Sequence, residues 1–316
     1  MIADIIKLLH EWDNILIISH ASPDGDTLGS AAALMRGLIG IGKNVSFGCS
    51  DSIDAKYRYL FDGLPNREFE PDKVVTVDIA DTNLMGTLKE PYKDRVDLAI
   101  DHHASHRPFG KIEWVEAGSA SNAEMIYQLL HEMKIKIDKF MADAIYTGIS
   151  TDTGCFRYQN VTASTHRVAA DVIELGADAG NINRRMFETR SRAQNEAEVM
   201  ALGAIEFYED DKCAMLVVTR EMMDRIGIRD SELDALVSIP RQIEGVLIGI
   251  TLKERECGAF KVSVRTNEPA NASEICAKLG GGGHKAAAGC SVKGDLETVK
   301  QKLLSVCKKH IEDHAL

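Results

Sequence analysis

The sequence lacks the features that mark membrane, disulfide-bonded and nucleic-acid-coating proteins. No apolar run approaches the ~20 residues that a membrane-spanning helix requires. The seven cysteines are scattered and form no C-x-x-C pair, which argues against a disulfide framework or a zinc–thiolate site. The formal net charge of −11 disfavours a protein that coats long nucleic acid, because such binding requires a broad basic face. No stretch interleaves aromatic with basic residues, as a platform for long single strands would.

The first residues do not have the pattern of a secretory signal either. Residues 2–12 have a helical pattern, and charged or titratable side chains interrupt it at Asp4, Lys7, His10 and Glu11. We therefore expect a cytoplasmic protein without a membrane partner. A chain of 316 residues is long enough for two domains, each with a core of its own.

The N-terminal half alternates short β-branched runs with helical patterns. Strands are predicted at residues 14–19, 73–78 and 95–101, and helices at residues 27–39, 121–133 and 139–149. The strand runs are mostly apolar rather than alternating, which is typical of strands buried on both faces. This alternation predicts an α/β domain with a mostly parallel sheet covered by helices on both faces.

The C-terminal part predicts a smaller α/β domain. Its strands are expected at residues 213–219, 245–253 and 260–265, with a helix at 271–279, a glycine loop at 280–283 and a closing helix at 296–311. Residues 186–208 have a charged helical pattern without a strand signal. We therefore predict domains at residues 1–185 and 209–316, joined by a connecting helix at 186–208.

Carboxylates and imidazoles follow the predicted strands and one helix end. The candidate metal ligands are His20, Asp24, Asp26, Asp78, His102 and Asp152. Because the carboxyl ends of parallel strands meet at one edge of a sheet, these side chains are expected to lie together. A donor set with nitrogen and oxygen but no thiolate suits Mn²⁺ or Mg²⁺ better than structural zinc. Asp26 also has a simpler interpretation, as an N-cap of the following helix.

Asp78 is predicted to bridge two cations, because it ends a central strand. Two ions ~3.5–4 Å apart would activate a water and stabilise the attacking and leaving oxygens of phosphoryl transfer. The residues therefore predict a two-metal phosphoesterase.

The motifs resemble those of the DHH phosphoesterase superfamily. The N-terminal motifs are His20-x-x-x-Asp24-x-Asp26, Asp78, Asp101-His102-His103 and Asp152. Residues 281–289, GGGHKAAAG, are similar to the signature of the DHH-associated C-terminal domain. Within the superfamily the chain most resembles the compact bacterial oligoribonucleases (nanoRNases) that also act as 3′-phosphoadenosine 5′-phosphate phosphatases. Some relatives hydrolyse cyclic di-AMP or pApA.

The resemblance implies two cation sites that share Asp78. The first site would consist of His20, Asp24 and Asp78, and the second of Asp26, Asp78, His102 and Asp152. Mn²⁺ is the expected ion at both sites, with Mg²⁺ as the alternative. The resemblance also allows a homodimer, although no residue pattern in the sequence supports one.

Two further residues of the motif are expected to act in catalysis. Asp101 would orient a histidine of the triplet. His103 would contact the scissile phosphate or protonate the leaving oxygen, and the alternative for it is a purely structural hydrogen bond. His106 stands where the family often has asparagine, and we expect an exposed imidazole without an assigned role. The segment 119–122 opens a helix and is expected either to meet a phosphate or only to cap that helix.

The C-terminal domain carries the predicted substrate contacts. An arginine can clamp a phosphate with two hydrogen bonds, and backbone amides of glycines can approach an anion closely. The candidates are Arg265, Gly282, Gly283 and His284, and the resemblance implies that this arginine and histidine hold the nucleotide. A flexible turn is the alternative for the glycines. A metal centre in one domain and an anion grip in the other would suit a short substrate in a cleft between them.

The expected function is Mn²⁺-dependent hydrolysis of short oligoribonucleotides, including pApA, to mononucleotides, together with hydrolysis of 3′-phosphoadenosine 5′-phosphate. One alternative is an enzyme dedicated to a nucleotide bisphosphate or a cyclic dinucleotide. Another is a catalytically silent regulator that binds nucleotides.

Overall fold

A computed structural model describes residues 1–65, 67–228, 230–255 and 258–315. The chain forms two compact units, Met1–Thr189 and Arg190–Leu316. The strands of the first unit are β1 (Ile15–Ile18), β2 (Val45–Gly48), β3 (Lys73–Val77), β4 (Val96–Asp101) and β5 (Ile112–Val115). They form one parallel sheet in the order β2-β1-β3-β4-β5.

Helices cover both faces of this sheet. They are α1 (Ile2–Glu11), α2 (Gly25–Gly40), α3 (Lys89–Tyr92), α4 (Asn122–Glu132), α5 (Lys139–Asp152), α6 (Ala163–Glu174) and α7 (Ala179–Asn183). Alternate strand residues enter different cores: Ile17 and Val75 belong to the main core, whereas Ile18 and Val74 belong to a smaller one on the opposite face. The predicted α/β architecture is confirmed.

Helices α2 and α5 pack very closely, and this packing positions the ends that carry site residues. A Cβ atom at Gly29 would lie 2.3 Å from the carbonyl oxygen of Ala144, so only glycine permits this approach. Helix α2 begins beside Asp24 and Asp26, and α5 ends at Asp152. Close packing therefore brings together carboxylates that are far apart in the sequence.

The second unit contains a six-stranded mixed sheet. Its strands are β6 (Glu206–Tyr208), β7 (Cys213–Val218), β8 (Ile248–Arg255), β9 (Ala259–Thr266), β10 (Gly282–His284) and β11 (Ala287–Lys293). Its helices are α8 (Arg192–Gly203), α9 (Arg220–Ile226), α10 (Ala272–Ala277) and α11 (Leu296–Asp313). The sheet order is β10-β11-β9-β8-β7-β6; β7 and β8 run parallel, and the other neighbours run antiparallel.

Two local predictions are wrong in extent. The helix expected over residues 186–208 is not continuous: a short π-helix ends at Glu188, Ser191 caps the start of α8, and residues 206–208 pair with β7 as a strand. The glycine loop expected at 280–283 is partly a strand, since Gly282 and Gly283 pair with β11. None of the helices in the described residues combines the length and apolar character of a membrane-spanning helix.

Candidate metal centre

Asp78 lies between two groups of imidazoles at the end of β3. Its Oδ2 is 3.6 Å from Nε2 of His20, and its Oδ1 is 3.4 Å from Nε2 of His102. The side chain is 4% exposed, and Oδ1 accepts no hydrogen bond from the described residues. The backbone φ of 60° is uncommon outside glycine. A buried carboxylate oxygen without a donor needs another positive partner, which a cation would supply.

The first group consists of His20 and Asp24. Nδ1 of His20 donates to the carbonyl of Ala21 at 2.8 Å, which leaves Nε2, 3.6 Å from Oδ1 of Asp24, as the ring atom that can bind a cation. Asp24 caps α2 by accepting the amides of Asp26 and Thr27 at 3.0 and 3.1 Å. The cap of this helix is therefore Asp24, and the interpretation of Asp26 as its N-cap is wrong.

The second group consists of Asp26, His102 and Asp152. Nδ1 of His102 contacts the carbonyl of Ser119 at 3.2 Å, which again leaves Nε2 as the free ligand atom. This Nε2 lies 3.7 Å from Oδ2 of Asp26 and 3.7 Å from Oδ2 of Asp152. The arrangement places one imidazole and two carboxylates around a common point, within reach of Asp78 Oδ1.

Asp26 also binds the start of α4. Its two carboxylate oxygens accept the backbone amides of Asn122 and Ala123 at 2.6 and 2.8 Å. A negative charge at a helix N-terminus is favourable because the amides there are otherwise unpaired. Because these two amides already donate to Asp26, they are not available to a phosphate. The segment 119–122 therefore caps the helix, and Oγ of Ser121 accepts the amide of Glu124.

The centre concentrates negative charge in a buried place. Burial, together with the charges of Asp78 and Asp152, raises the pKa of Asp26 well above its ordinary value. Burial also raises the pKa of Asp152 to about 7; His102 opposes this rise and Asp78 adds to it. Burial lowers the pKa of His20, but Asp24 and Asp78 outweigh it and raise that pKa to about 11. The raised pKa values of Asp26 and Asp152 show that these two carboxylates favour a positive partner, which a divalent cation would supply.

Two family models match this chain. Residues 14–149 match the DHH family N-terminal domain, and residues 211–313 match the DHHA1 domain. The chain therefore contains a DHH domain followed by a DHHA1 domain.

Curated relatives of this DHH protein extend over almost its whole length. A protein of Thermus thermophilus named bifunctional oligoribonuclease and PAP phosphatase NrnA is 29% identical, over 98% of this chain and 94% of its own. The Bacillus subtilis protein with the same name is 26% identical, over 98% of this chain and 100% of its own. Family and relatives together identify this DHH protein as an enzyme that hydrolyses phosphoric esters.

A solved structure has the same fold. The exopolyphosphatase-related protein from Bacteroides fragilis superposes with a TM-score of 0.91 at 23% identity, and the match covers 98% of this chain and 95% of that one. Its similarity extends through both units, in agreement with the two family models.

The DHH triplet of this chain belongs to a longer hydrogen-bonded chain. Nδ1 of His103 lies 2.7 Å from Oδ1 of Asp101, and Nδ1 of His106 lies 2.7 Å from Oδ2 of the same carboxylate. Nε2 of His106 lies 2.8 Å from Oε2 of Glu113. The expectation of an exposed His106 is wrong, since its side chain is 5% exposed. Glu113 was not predicted, because it lies in the short edge strand β5, which has no long β-branched run.

The predicted substrate residues lie in the second unit of this DHH protein. Strand register places Arg265 opposite Gly249 on one side and Ala287 on the other, and Ala287 opposite His284. Small neighbours therefore flank Arg265, which donates to the carbonyl of Val264 at 3.1 Å. The side chain of His284 lies outside the described residues.

Gly282 and Gly283 differ in the space that the fold leaves for a side chain. A Cβ at Gly283 would lie 2.6 Å from the carbonyl oxygen of Ala287, and the backbone φ there is 146°. A Cβ at Gly282 would meet nothing within 4 Å. Packing among the described residues thus explains Gly283 and leaves Gly282 unexplained.

A second cluster of metal-ligating types lies near the C-terminus. Nδ1 of His310 is 3.7 Å from Oε2 of Glu274, and Nε2 of His314 is 3.3 Å from the same oxygen. Nε2 of His310, however, accepts the amide of Asn271 at 3.2 Å, so the proton of the neutral ring is on Nδ1. The atom that faces Glu274 therefore offers no lone pair, and the cluster is a poor cation site.

Proposed function

We propose that this chain is a two-cation phosphoesterase that hydrolyses short oligoribonucleotides such as pApA to mononucleotides, and also 3′-phosphoadenosine 5′-phosphate. One observation carries the proposal: the two oxygens of Asp78 face two separate ligand groups, at 3.6 Å from His20 and 3.4 Å from His102. The activities in the names of the Thermus thermophilus and Bacillus subtilis relatives support the substrate class.

Two cation sites account for the arrangement of the donors. One set is His20, Asp24 and Asp78, and the other is Asp26, Asp78, His102 and Asp152. When bound, two divalent cations would supply an activated water and charge stabilisation for phosphoryl transfer. We propose Mn²⁺, because imidazole combined with carboxylate suits it better than Mg²⁺, which prefers oxygen ligands alone.

His103 is proposed to protonate the leaving oxygen. Its Nδ1 is directed to Asp101 at 2.7 Å, which places the transferable proton on Nε2. Asp101 is fully buried and acts on the reaction only through this imidazole. Burial lowers the pKa of His103, but Asp101 and Asp78 outweigh it and raise that pKa, which favours the acid form.

The second unit is proposed to hold the rest of the substrate. Arg265 would clamp a phosphate, and its two neighbours in the sheet, Gly249 and Ala287, are small residues. Gly282 would allow the backbone of β10 to approach the same anion. His284 and a cleft between the domains stay predictions of the sequence, as do the homodimer and the cytoplasmic location.

Turnover of pApA with Mn²⁺, with and without EDTA, tests the proposal. AMP should appear only with the ion, and Asp78→Ala and His102→Ala should lower turnover by at least about 10³-fold, because each removes a ligand of the reacting centre. His131→Ala, an exposed histidine on α4, is the matched control and should keep wild-type turnover. Normal turnover by Asp78→Ala would show that the mechanism is wrong.

A substrate panel separates this proposal from its alternatives. Side-by-side kcat/KM for diribonucleotides, pApA, cyclic di-AMP and 3′-phosphoadenosine 5′-phosphate should favour the linear dinucleotides. A strong preference for the bisphosphate or the cyclic compound would identify a dedicated enzyme. Binding of these compounds without any turnover would identify a silent regulator.

A further inference from the structure

We propose that His106 and Glu113 are positioning residues that decide which carboxylate His103 bonds to. The two residues connect β5 to Asp101, and so to the proposed proton donor. The inference rests on the proposed function, because it assigns the two residues a part in the departure of the leaving group.

His103 has two carboxylates within reach. Its Nδ1 is 2.7 Å from Oδ1 of Asp101 and 3.6 Å from Oδ1 of Asp78. Only the first distance is a hydrogen bond. If Asp101 turned away, the same ring nitrogen could pair with Asp78, which is proposed to serve the cations. The orientation of Asp101 therefore separates the proton donor from the cation ligands.

His106 holds Asp101 in the orientation that His103 needs. Asp101 is fully buried, and its second oxygen, Oδ2, lies 2.7 Å from Nδ1 of His106. Ionised carboxylates only accept hydrogen bonds, so the ring nitrogen donates here. Without this donor a buried carboxylate oxygen would lose its partner, which costs about 1–3 kcal/mol or more for a charged group and favours rotation of the carboxyl.

Glu113 holds His106 in turn. Its Oε2 lies 2.8 Å from Nε2 of His106, while its Oε1 accepts the backbone amides of Phe109 and Gly110, the former at 2.7 Å. The ring of Phe109 also stacks on that of His106 with a centroid distance of 5.4 Å. Glu113 thus ties the loop after the DHH triplet to the sheet, and the imidazole between two carboxylates has no freedom to turn.

Two isosteric substitutions of His106 separate its two hydrogen bonds. In His106→Asn, the side-chain amide nitrogen occupies the place of Nδ1 and can still donate to Asp101. In His106→Gln, the amide nitrogen occupies the place of Nε2 and can reach only Glu113. The proposal requires the contact to Asp101, so the asparagine variant should work much better than the glutamine variant.

The experiment compares two substrates that share the attacked phosphorus. One is pApA, whose leaving oxygen is an alkoxide that needs a proton. The other is the 4-nitrophenyl ester of adenosine 5′-monophosphate, whose leaving group departs without one. His106→Gln should lower kcat for pApA by about 10–100-fold with KM little changed, and should lower kcat for the ester by less than about 3-fold. His106→Asn should stay within about 5-fold of wild type on both.

The outcomes distinguish the two proposals. If wild-type enzyme hydrolyses neither substrate with Mn²⁺, the proposed function fails. The positioning inference is overturned if wild type is active and His106→Asn and His106→Gln lose activity equally. It is also overturned if both variants keep full activity. A parallel loss on pApA and the ester overturns it as well, because damage to the fold alone would affect both substrates alike. Thermal melting of each variant, with His131→Ala as the control, reports such damage directly.

Discussion

Asp26 should stabilise the fold even when no cation is bound, whereas Asp152, another proposed ligand, should not. Its carboxylate accepts two amides of α4, at 2.6 and 2.8 Å, and its side chain is 1% exposed. A buried amide that loses its acceptor costs about 1–3 kcal/mol, so the loss of both acceptors in Asp26→Ala costs about 2–6 kcal/mol. Relief of repulsion with Asp78 and Asp152 offsets part of this loss. We expect a net loss of about 2–4 kcal/mol.

Thermal unfolding in excess EDTA at pH 7 measures this effect. For a unit of the size of Met1–Thr189, each kcal/mol shifts Tm by about 2–4 °C, so Asp26→Ala should melt about 5–15 °C below wild type. Asp152→Ala is the matched control, since its carboxylate belongs to the same ligand group but accepts no α4 amide in the described residues. It should melt at or slightly above the wild-type temperature in EDTA. Equal melting of Asp26→Ala and wild type, or equal losses in both variants, would refute the reasoning.

Three further predictions concern pH, the glycines and the arginine. In EDTA, Tm should rise as pH falls from 9 to 6. The folded pKa values of Asp152 (about 7) and His20 (about 11) exceed their ordinary values, so the native state binds more protons than the unfolded state. Saturating Mn²⁺ should flatten this dependence of Tm on pH, and a fall of Tm towards pH 6 in calorimetry would contradict the prediction. Gly282→Ala should raise KM for pApA without changing Tm, whereas Gly283→Ala should lower Tm by several degrees. A lower Tm with an unchanged KM in Gly282→Ala would argue against a substrate role for Gly282. Arg265→Lys should raise KM at least about 10-fold, since lysine cannot form a bidentate contact, and an unchanged KM in steady-state assays would remove Arg265 from the site.

Much of the fold could be predicted because its central strands are strongly patterned. Strands β1, β3 and β4 lie inside the sheet with both faces buried, so their sequences are short runs of mostly apolar residues. The edge strands β2 and β5 were missed, since an edge needs only a short segment and tolerates polar residues such as Glu113. The strand β6 was also missed, because three residues carry too little periodicity to interrupt a helical pattern.

The proposed ligand types could be found in the sequence because they follow strands whose ends must converge. The hydrogen bonds that each of these residues makes could not be predicted from the sequence. Asp24 and Asp26 are two residues apart, yet one caps α2 and the other binds the amides of α4, nearly 100 positions away in the sequence. That difference depends on how α2 and α4 pack, which no local pattern contains.

The sequence by itself determined the family, the α/β class and the collection of carboxylates and imidazoles near strand ends, because motif spacing and apolar runs are local properties. Only the tertiary structure decided that the oxygens of Asp78 face opposite ligand groups and that His106 is buried between Asp101 and Glu113. Both arrangements arise from side chains of different strands meeting across the sheet, since register and packing set those distances.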